Sequence, residues 1–430
     1  MSIHAGILVT GTEVLTGRVV DRNGPWCSER LRELGVDHET TVVVGDRPAD
    51  MMSALGWLRA EGCALIVTSG GLGPTEDDLT AQVVGAFQGR PMVLDEELEA
   101  RIGAILERLT RRWPDVDLEA IREGNRKQAT IPEGATILEP VGTAPGLVVP
   151  PAGEEGPTVV VLPGPPRELV PMWEAATQTP AFQEAISGRS EIRQEMLRLF
   201  GIPESEIAET LRAARSDGIA IDGMEITTCM RRGEIEIVTR FAPGEAATYE
   251  ELASFISGRH ADTLFSSDGS SIDTQVGTLL REQDLTIAVA ESCTGGLLGG
   301  RLTELPGSSA YFAGGVLVYS NEAKITLAGV DPETLDRHGA VSPEVAIALA
   351  DGVRGRLGTD LGVGITGIAG PGGGTDEKPV GTVCFAVSGD SGSLERNIQL
   401  PGSRADVRDR STTVALHMVR QFLADSADPA

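Results

Sequence analysis

Short β-rich runs alternate with helical patterns through most of this chain, and this alternation restricts its fold more than any other feature. In the N-terminal part, apolar runs at 5–9, 40–44 and 65–68 are separated by helical patterns at 25–33 and 49–59. Such alternation with short connections predicts right-handed crossovers and a mostly parallel sheet that helices cover on both faces. Because ligands bind such sheets at the carboxyl ends of the strands, candidate functional residues should follow strands directly.

The length of 430 residues exceeds what one hydrophobic core usually spans, so more than one domain is expected. The alternation changes into a more charged stretch at 173, and it resumes after a polar run of serine, aspartate and glycine at 266–271. The sequence therefore predicts an α/β protein with two α/β sheet domains, each with helices on both faces, joined by a small α+β middle domain. The predicted boundaries are 1–172, 173–262 and 263–424.

The chain is strongly acidic, with 63 Asp and Glu against 36 Lys and Arg and a formal net charge of -27. A field of this sign repels nucleic acid and anionic membranes, so neither is expected as a direct partner. A phosphate-bearing substrate would have to be held locally, by a metal ion, by arginines or by backbone amides. The five scattered cysteines contain no C-x-x-C pair, and neither a secretion signal nor an 18-residue apolar run is found, so we expect a cytoplasmic protein.

Polar, glycine-rich segments occur in the N-terminal domain where strands are predicted to end. Glycine allows a ligand to approach the backbone closely, and the N-terminus of a following helix offers free N–H groups to phosphate. The candidate nucleotide-binding residues are Gly11, Thr12, Glu13, Gly70, Gly71, Gly73, Thr75, Gly142, Thr143 and Gly164. The neighbouring carboxylates of Asp77 and Asp78 suit a hard divalent cation that bridges a pyrophosphate. The alternative is that the segments are ordinary turns and that both aspartates complement a helix dipole.

A second constellation begins where a buried-type strand at 285–290 ends and a helical pattern follows from Leu297. Ser292 lies at this junction, beside backbone N–H groups that can stabilise an oxyanion, so it is a candidate nucleophile. The five histidines form no recognisable triad motif. A lysine base of lowered pKa is the other option, and Lys324 is predicted in the first turn of the helix that follows a strand ending at Tyr319.

A third strand, at 361–365, ends in the glycine-rich loop 366–374. The amides of this loop can cradle a phosphate, and two arginines one helical turn apart, at 404 and 408, can supply positive charge. The substrate-binding candidates are therefore Thr294, Gly295, Thr366, Gly367, Gly370, Arg404 and Arg408.

Each of these candidates also has a purely structural interpretation. Ser292 can be the N-cap of the helix that follows it. Tyr319 can be an aromatic residue at the end of a sheet, and Lys324 and the two arginines can be solvated surface charges. Cys293 is a second possible nucleophile, because a thiolate is intrinsically more reactive than a hydroxyl, but without a histidine motif it is interpreted as a buried structural thiol.

The segments GTEVLTGRVVDRN, TSGGLGPTEDDLT, GTAPG and LPGPPRE, in this order, resemble the N-terminal molybdopterin-binding-type domain of the competence/damage-inducible CinA family. The resemblance implies metal-dependent hydrolysis of ADP-ribose, with a divalent ion held by Asp77 or Asp78 and the glycine loops around the nucleotide. Related domains in cofactor biosynthesis bind molybdopterin.

The segments AESCTGG, GGVLVYSNEAK, HGAVS, GITGIAGPGGG and KPVGTV resemble the C-terminal domain of the same family, which also occurs alone as a bacterial nicotinamide-nucleotide amidase. The resemblance implies that Ser292 is the nucleophile, that Lys324 and Tyr319 activate it, and that Thr366 lies in the substrate pocket. It further implies that this domain needs no metal or other cofactor, that the substrate is a pyridine nucleotide, and that the protein is a homodimer.

Three functions remain open on the sequence alone. The first is a two-activity enzyme that hydrolyses ADP-ribose and deamidates nicotinamide mononucleotide. The second is a non-catalytic nucleotide-binding adaptor linked to competence or DNA repair. In the third, one domain is active and the other, most plausibly the N-terminal one, is a degenerate binding module, since one fold can host both roles.

Overall fold

The computed structural model describes residues 3–110, 117–153 and 155–427, which form two compact units. The first unit comprises the chain up to 194 together with 241–244. The second comprises 195–240 together with the chain from 245 onward.

Strands and helices alternate in the described part of the first unit. The strands are β1 (His4–Thr10), β2 (Asp37–Val44), β3 (Leu65–Ser69), β4 (Met92–Leu94), β5 (Thr130–Pro132), β6 (Thr136–Leu138), β7 (Gly146–Val149) and β8 (Thr158–Leu162). The helices are α1 (Thr12–Leu15), α2 (Asn23–Glu33), α3 (Pro48–Ala60), α4 (Thr80–Phe87), α5 (Glu96–Thr110), α6 (Leu118–Gln128), α7 (Pro166–Thr177) and α8 (Pro180–Ala185).

The central sheet of this unit has the strand order β2-β1-β3-β8-β7-β6, while β4 and β5 pair separately. The first four strands run parallel, and β7 is antiparallel to both of its neighbours. Every residue of β3 and β8 is buried, as expected for strands that are covered on both faces. Residues of α3 and α4 belong to the core on one face, and residues of α2, α7 and α8 belong to the core on the other. The predicted α/β architecture is thereby confirmed.

The second unit contains the remaining strands and helices. The strands are β9 (Arg193–Phe200), β10 (Glu225–Arg231), β11 (Glu234–Phe241), β12 (Leu264–Ser266), β13 (Ile287–Glu291), β14 (Phe312–Leu317), β15 (Leu361–Gly367), β16 (Thr382–Gly389) and β17 (Gly392–Gln399). The helices are α9 (Glu204–Ser216), α10 (Ala246–Arg259), α11 (Ile272–Glu282), α12 (Leu297–Leu302), α13 (Asn321–Ala328), α14 (Pro332–His338), α15 (Pro343–Leu357) and α16 (Arg404–Ala427). Short 3-10 helices lie at Ile221–Gly223 and Ser308–Ala310, and a third, Pro243–Glu245, falls mostly in the segment that belongs to the first unit.

Two sheets organise this unit, one of order β10-β11-β9-β12 and one of order β14-β13-β15-β16-β17. In the second sheet β13 runs parallel to both β14 and β15, while β16 and β17 are antiparallel. Helix α15 covers one face and helices α11 and α16 cover the other. The carboxyl end of β13 therefore opens between two parallel neighbours, which is the position where sheets of this kind bind ligands.

Glycines in β15 allow α15 to lie directly on the sheet. A Cβ atom at Gly362 would lie 2.1 Å from the backbone oxygen of Ala350, and one at Gly364 would lie 2.1 Å from that of Ala346. Any side chain at either position would push the helix away. This close approach fixes the height of α15 above the strand that precedes the glycine-rich loop.

The units divide the chain differently from the predicted boundaries. The first unit extends to 194 instead of 172, because α7 and α8 pack on the central sheet: the ring of Trp173 makes edge contacts with Trp26 and Phe182. The middle elements and the C-terminal elements share one unit, within which His417 of α16 contacts Glu234 of β11 at 2.7 Å. Within the described ranges, no helix has both the length and the apolar character that crossing a membrane requires.

Candidate active site

Ser292 and Lys324 meet at the carboxyl end of β13. Ser292 follows the last residue of that strand, and its backbone N–H donates to the carbonyl of Ile365 in β15. Lys324 lies in the first turn of α13, and its Nζ lies 3.2 Å from Ser292 Oγ. Only 7% of the Ser292 surface and 2% of the Lys324 surface are exposed. A hydroxyl and an amine in contact, with little water around them, can transfer a proton directly.

The buried amine of Lys324 contacts oxygen atoms and no carboxylate within the described residues. Besides Ser292, its Nζ donates to the carbonyls of Val318 at 2.9 Å and of Tyr319 at 3.4 Å. Burial penalises the charged ammonium and lowers the pKa of Lys324 from its ordinary value, an effect that the nearby Cys293 only partly opposes. The capping hydroxyl of Ser320, which accepts from the N–H of Ala323, fixes the start of the helix that carries this lysine.

The N-cap interpretation of Ser292 does not describe the structure. The N-cap of α12 is Gly296, whose φ of 96° lies in the left-handed region, and no side chain caps it from that position. The first turn is satisfied by the buried carboxylate of Glu291, which accepts from the N–H groups of Gly296, Leu298 and Gly299 at 2.8–3.1 Å. The first turn of α12 therefore does not need Ser292 as its cap.

Cys293 is 4% exposed, and burial raises the pKa of its thiol to about 11. A thiol in this state carries little thiolate at neutral pH and is a poor nucleophile. Among the described residues, Lys324 Nζ hydrogen bonds to the hydroxyl of Ser292 and not to the sulfur of Cys293, so the geometry favours Ser292 as the nucleophile.

Tyr319 lies apart from the Ser292–Lys324 pair. Its side chain is 65% exposed, and its hydroxyl accepts a hydrogen bond of 3.1 Å from Nη2 of Arg404. Among the described residues, the phenol makes no hydrogen bond to Ser292 or Lys324, and Tyr319 contacts the lysine only through its backbone carbonyl. The strand expected to end at Tyr319 ends at Leu317, so the side chain lies on the segment that leads to α13.

The two arginines of α16 bind backbone carbonyls around the site. Arg404 Nη1 donates to Gly370 of the glycine-rich loop at 2.8 Å. Arg408 donates through Nε to Cys293 and through Nη2 to Thr294, at 3.1 and 2.9 Å. These contacts connect the helix to the glycine-rich loop and to the turn after Ser292. Positive charge is thereby placed beside both segments that were expected to bind substrate.

The other substrate-binding candidates contribute mainly to the shape of the site. Thr366 is buried, and its hydroxyl donates to the carbonyl of Ala340 at 2.6 Å. The hydroxyl of Thr294 is also buried and has no hydrogen-bond partner among the described residues. A Cβ atom on Gly295 would lie 3.4 Å from Arg408 Nη2, and one on Gly367 would lie 2.9 Å from the carbonyl of Thr382. The backbone is closely surrounded at these positions.

A separate cavity of about 800 Å³ opens at the carboxyl ends of β1, β3 and β8 in the first unit. The predicted nucleotide-binding residues that line it are Gly11, Glu13, Gly70, Gly71, Gly73, Thr143 and Gly164, together with the proposed metal ligands Asp77 and Asp78. At Gly70 φ is 106°, and a Cβ atom there would lie 2.4 Å from the carbonyl of Thr10, so glycine is required. The glycine-rich segments therefore meet at one edge of the sheet.

Three of the predicted nucleotide-binding residues lie outside the lining of this cavity. Thr12 donates to the carboxylate of Asp46 through its backbone N–H and its hydroxyl, each at 2.8 Å. The hydroxyl of Thr75 hydrogen bonds to the carboxylates of Asp77 and Asp78. Gly142 has no room for a side chain, because a Cβ atom would lie 2.5 Å from a carboxylate oxygen of Glu168. These residues position the groups that do line the cavity.

The cavity is strongly acidic. The carboxylates that line it belong to Glu13, Asp21, Asp46, Asp77, Asp78 and Glu168, and among the described lining residues Arg22 is the only lysine or arginine. Such a lining repels a free pyrophosphate. No group of three or more His, Cys, Asp or Glu side chains in the described ranges converges as a preformed metal site. Two adjacent carboxylates nevertheless fit a hard divalent cation that takes its other ligands from water and from substrate phosphates.

Several residues that shape the two sites were not identified as site residues from the sequence. Glu291 caps α12 beside the nucleophile candidate. In the first unit, Glu168 is 7% exposed and burial raises its pKa, while the amide of Asn23 donates to Ser69 and Gly164 at 2.8 and 2.6 Å. The position of Glu291 directly before Ser292, at the start of a predicted helix, was the sequence feature that could have indicated its capping role. The partners of Asn23 lie up to 141 positions away, which local patterns do not reveal.

Comparisons with known proteins match both parts of the chain. Residues 269–423 match the family described as CinA C-terminal domain, and residues 6–183 match the probable molybdopterin binding domain. A CinA-like protein of Mycobacterium sp. (strain JLS) is 58% identical over 426 residues, which cover 99% of this chain and 100% of the relative. A CinA-like protein of Mycobacterium tuberculosis (strain ATCC 25177 / H37Ra) is 55% identical, with 99% and 98% covered.

Solved structures match parts of the chain. The competence/damage inducible protein CihA from Agrobacterium tumefaciens is 38% identical over 37% of this chain and 99% of its own, with a TM-score of 0.35. The protein CinA from Thermoplasma acidophilum, described as of unknown function, is 31% identical over 41% of this chain and 97% of its own, also with a TM-score of 0.35.

Proposed function

This chain belongs to the CinA family, and on that premise we propose that its C-terminal region hydrolyses the carboxamide of nicotinamide mononucleotide to nicotinate mononucleotide and ammonia. The observation that carries the proposal is the 3.2 Å contact between Lys324 Nζ and Ser292 Oγ, with both residues buried at the carboxyl end of β13. The motifs around both residues resemble those of nicotinamide-nucleotide amidases.

In the proposed reaction, neutral Lys324 accepts the Ser292 proton while Oγ attacks the carboxamide carbon. The carbon–nitrogen bond then breaks, and the lysine ammonium returns the proton to the nitrogen, which leaves as ammonia. In the second half, Lys324 takes a proton from water, and the resulting hydroxide attacks the ester carbonyl. The carbon–Oγ bond breaks, Ser292 regains its proton, and nicotinate mononucleotide is released.

The surroundings of the pair supply the remaining requirements of acyl transfer. The backbone N–H groups of residues 293 and 294 follow the nucleophile directly and donate to no backbone acceptor among the described residues, but both lie in hydrogen-bonding contact with the Cys293 sulfur. In the proposed reaction they turn from this sulfur to stabilise the oxyanion. We assign Arg404, Arg408 and the glycine-rich loop to the phosphate end of the substrate, where positive charge offsets the acidic character of the chain. Tyr319, whose hydroxyl accepts from Arg404, is assigned to the phosphate end of the substrate as well. The proton then moves directly from Ser292 to Lys324.

We propose a second activity for the first unit, namely metal-dependent hydrolysis of the pyrophosphate bond of ADP-ribose. The supporting observation is the 800 Å³ cavity, in which glycine-rich segments and acidic side chains meet at the ends of three parallel strands. A divalent cation held by Asp77 and Asp78 would neutralise pyrophosphate charge there. The glycine backbones would hold the nucleotide, and Thr75 would orient both carboxylates through its hydroxyl.

The amidase proposal is tested by incubating the purified full chain with nicotinamide mononucleotide in the presence of a chelator and following ammonia and nicotinate mononucleotide together. Nicotinamide riboside, which lacks the phosphate, serves as the matched substrate control. The proposal predicts equal amounts of both products and a much slower reaction of the riboside. Absence of ammonia release would favour the nucleotide-binding adaptor instead.

A further inference from the structure

A cavity of about 470 Å³ in the second unit lies between the sheet of order β10-β11-β9-β12, called here the middle sheet, and the end of α16. Phe200 of β9 and Phe265 of β12 supply apolar surface, and Arg396 of β17 and Arg420 of α16 supply positive charge. Along the axis of α16, Arg420 lies about 18 Å beyond Arg408, so the cavity is distinct from the amidase site.

Arg420 lacks the partners that a partly buried arginine usually has. Its Nε is buried without a hydrogen-bond acceptor, and the guanidinium forms no ion pair with any described residue. The guanidinium carbon lies 5.9 Å from the centre of the Phe265 ring. Burial lowers the pKa of Arg420, which reflects poor solvation of its charge. The chain has 63 acidic side chains, yet none of the described ones pairs with this arginine. Because buried polar groups normally have partners, an anion from solution can take the place of the missing carboxylate.

The wall of the cavity is preorganised. His417 contacts Glu234 at 2.7 Å and stacks on Phe200 with the ring centres 3.8 Å apart. The other cavity arginine, Arg396, donates to the side chain of Gln421 at 2.8 Å, which holds it at the rim. Rigid walls reduce the entropy cost of binding a small ligand.

We propose that this cavity binds a small phosphate monoester, with the phosphate between Arg420 and Arg396 and the organic part against Phe200. The volume lies within the range of small-molecule sites. Exposed Asp262 and Asp425 also line the cavity and limit its net positive charge. They favour one phosphate group over a di- or triphosphate, and their carboxylates can accept hydrogen bonds from sugar hydroxyls.

The test is isothermal titration of the full chain with ribose 5-phosphate and with AMP, with adenosine as the probe that lacks phosphate. We expect both phosphates to bind and adenosine to bind far more weakly. Arg420→Gln should weaken phosphate binding at least about tenfold, since a charge-assisted hydrogen bond is lost. Arg396→Gln, at an exposed position, should also weaken phosphate binding.

Two matched variants distinguish this cavity from other sites. Arg356→Gln removes the same charge from α15 on the opposite face of the sheet and should leave binding unchanged. Arg408→Gln changes the proposed phosphate end of the amidase site and should leave the Arg420-dependent binding unchanged, whereas a loss of phosphate binding in that variant alone would assign the bound phosphate to the amidase site and overturn the proposal. No binding of either phosphate at millimolar concentration would overturn it as well. None of these outcomes depends on whether the chain deamidates nicotinamide mononucleotide.

Discussion

Nζ of Lys324 lies 3.2 Å from Oγ of Ser292, although 32 positions separate the two residues in the sequence. The contact forms because β13 and β14 are parallel neighbours, so that the turn after one strand and the helix after the other meet at one edge of the sheet. Burial and the absence of a described carboxylate partner favour the neutral amine, which is the form that acts as a base in the proposed reaction.

The pH dependence of amide hydrolysis should report the ionisation of Lys324. The base form of lysine is neutral, so kcat/KM should rise with pH through the lysine pKa. Because burial lowers that pKa from 10.5, the midpoint of this rise should lie below 10.5. A pH–rate profile measures this directly.

Replacing the base provides the control for that profile. Lys324→Met should reduce kcat by about 10²–10⁴-fold and remove the rise with pH. A profile that keeps the same midpoint in Lys324→Met would assign the titration to another group.

Tyr319 provides a test of the direct proton route. Tyr319→Phe removes the hydroxyl that accepts from Arg404 but leaves the backbone carbonyl that contacts Lys324. We therefore expect a higher KM and a kcat within about tenfold of the original, since the loss of one hydrogen bond is modest. A fall in kcat of the size expected for Lys324→Met would instead show that the phenol relays the proton.

The buried carboxylate of Glu291 should stabilise the turn that carries Ser292. Glu291→Gln replaces an acceptor of three backbone N–H groups by an amide with only one acceptor oxygen. We expect the free energy of unfolding to fall by about 2–3 kcal/mol, as measured by denaturant titration. Glu304→Gln, at an exposed position after α12, is the matched control and should change it by less than about 0.5 kcal/mol. Equal stability of the two variants would contradict the capping role.

The two proposed activities should separate on removal of metal. A chelator should abolish ADP-ribose hydrolysis, magnesium should restore it, and ammonia release should not change. Asp77→Asn and Asp78→Asn should each lower ADP-ribose hydrolysis by about 10²-fold, because an amide is a poorer ligand for a hard cation. Asp50→Asn in α3, outside the cavity, serves as the control. Hydrolysis that persists in chelator would show that the first unit does not use these carboxylates for metal binding.

The strand and helix pattern allowed the α/β architecture to be predicted, because parallel strands buried on both faces produce short apolar runs such as the one that begins β3. Polar and glycine-rich segments after strands lie at the sheet edges where the structure places the cavity and the Ser292–Lys324 contact, and their functional roles stay predictions. The position of Tyr319 was harder to anticipate, since the strand ends two residues before it and the side chain points to Arg404, 85 positions further along the chain.

Domain boundaries depend on tertiary contacts that local patterns do not contain. Trp173 lies one residue beyond the predicted first domain, yet its contacts with Trp26 and Phe182 place it in the core of the first unit. The cavity at Arg420 could not be anticipated either, because its walls come from the middle sheet, from β17 and from α16.

We propose Ser292 as the nucleophile of a metal-independent amidase. The most direct measurement is ammonia release from nicotinamide mononucleotide in chelator by the original chain, by Ser292→Ala and by Cys293→Ala. We predict that the original chain and Cys293→Ala release ammonia at similar rates and that Ser292→Ala releases none above background. Activity that is lost in Cys293→Ala but retained in Ser292→Ala would show that Ser292 is not the nucleophile.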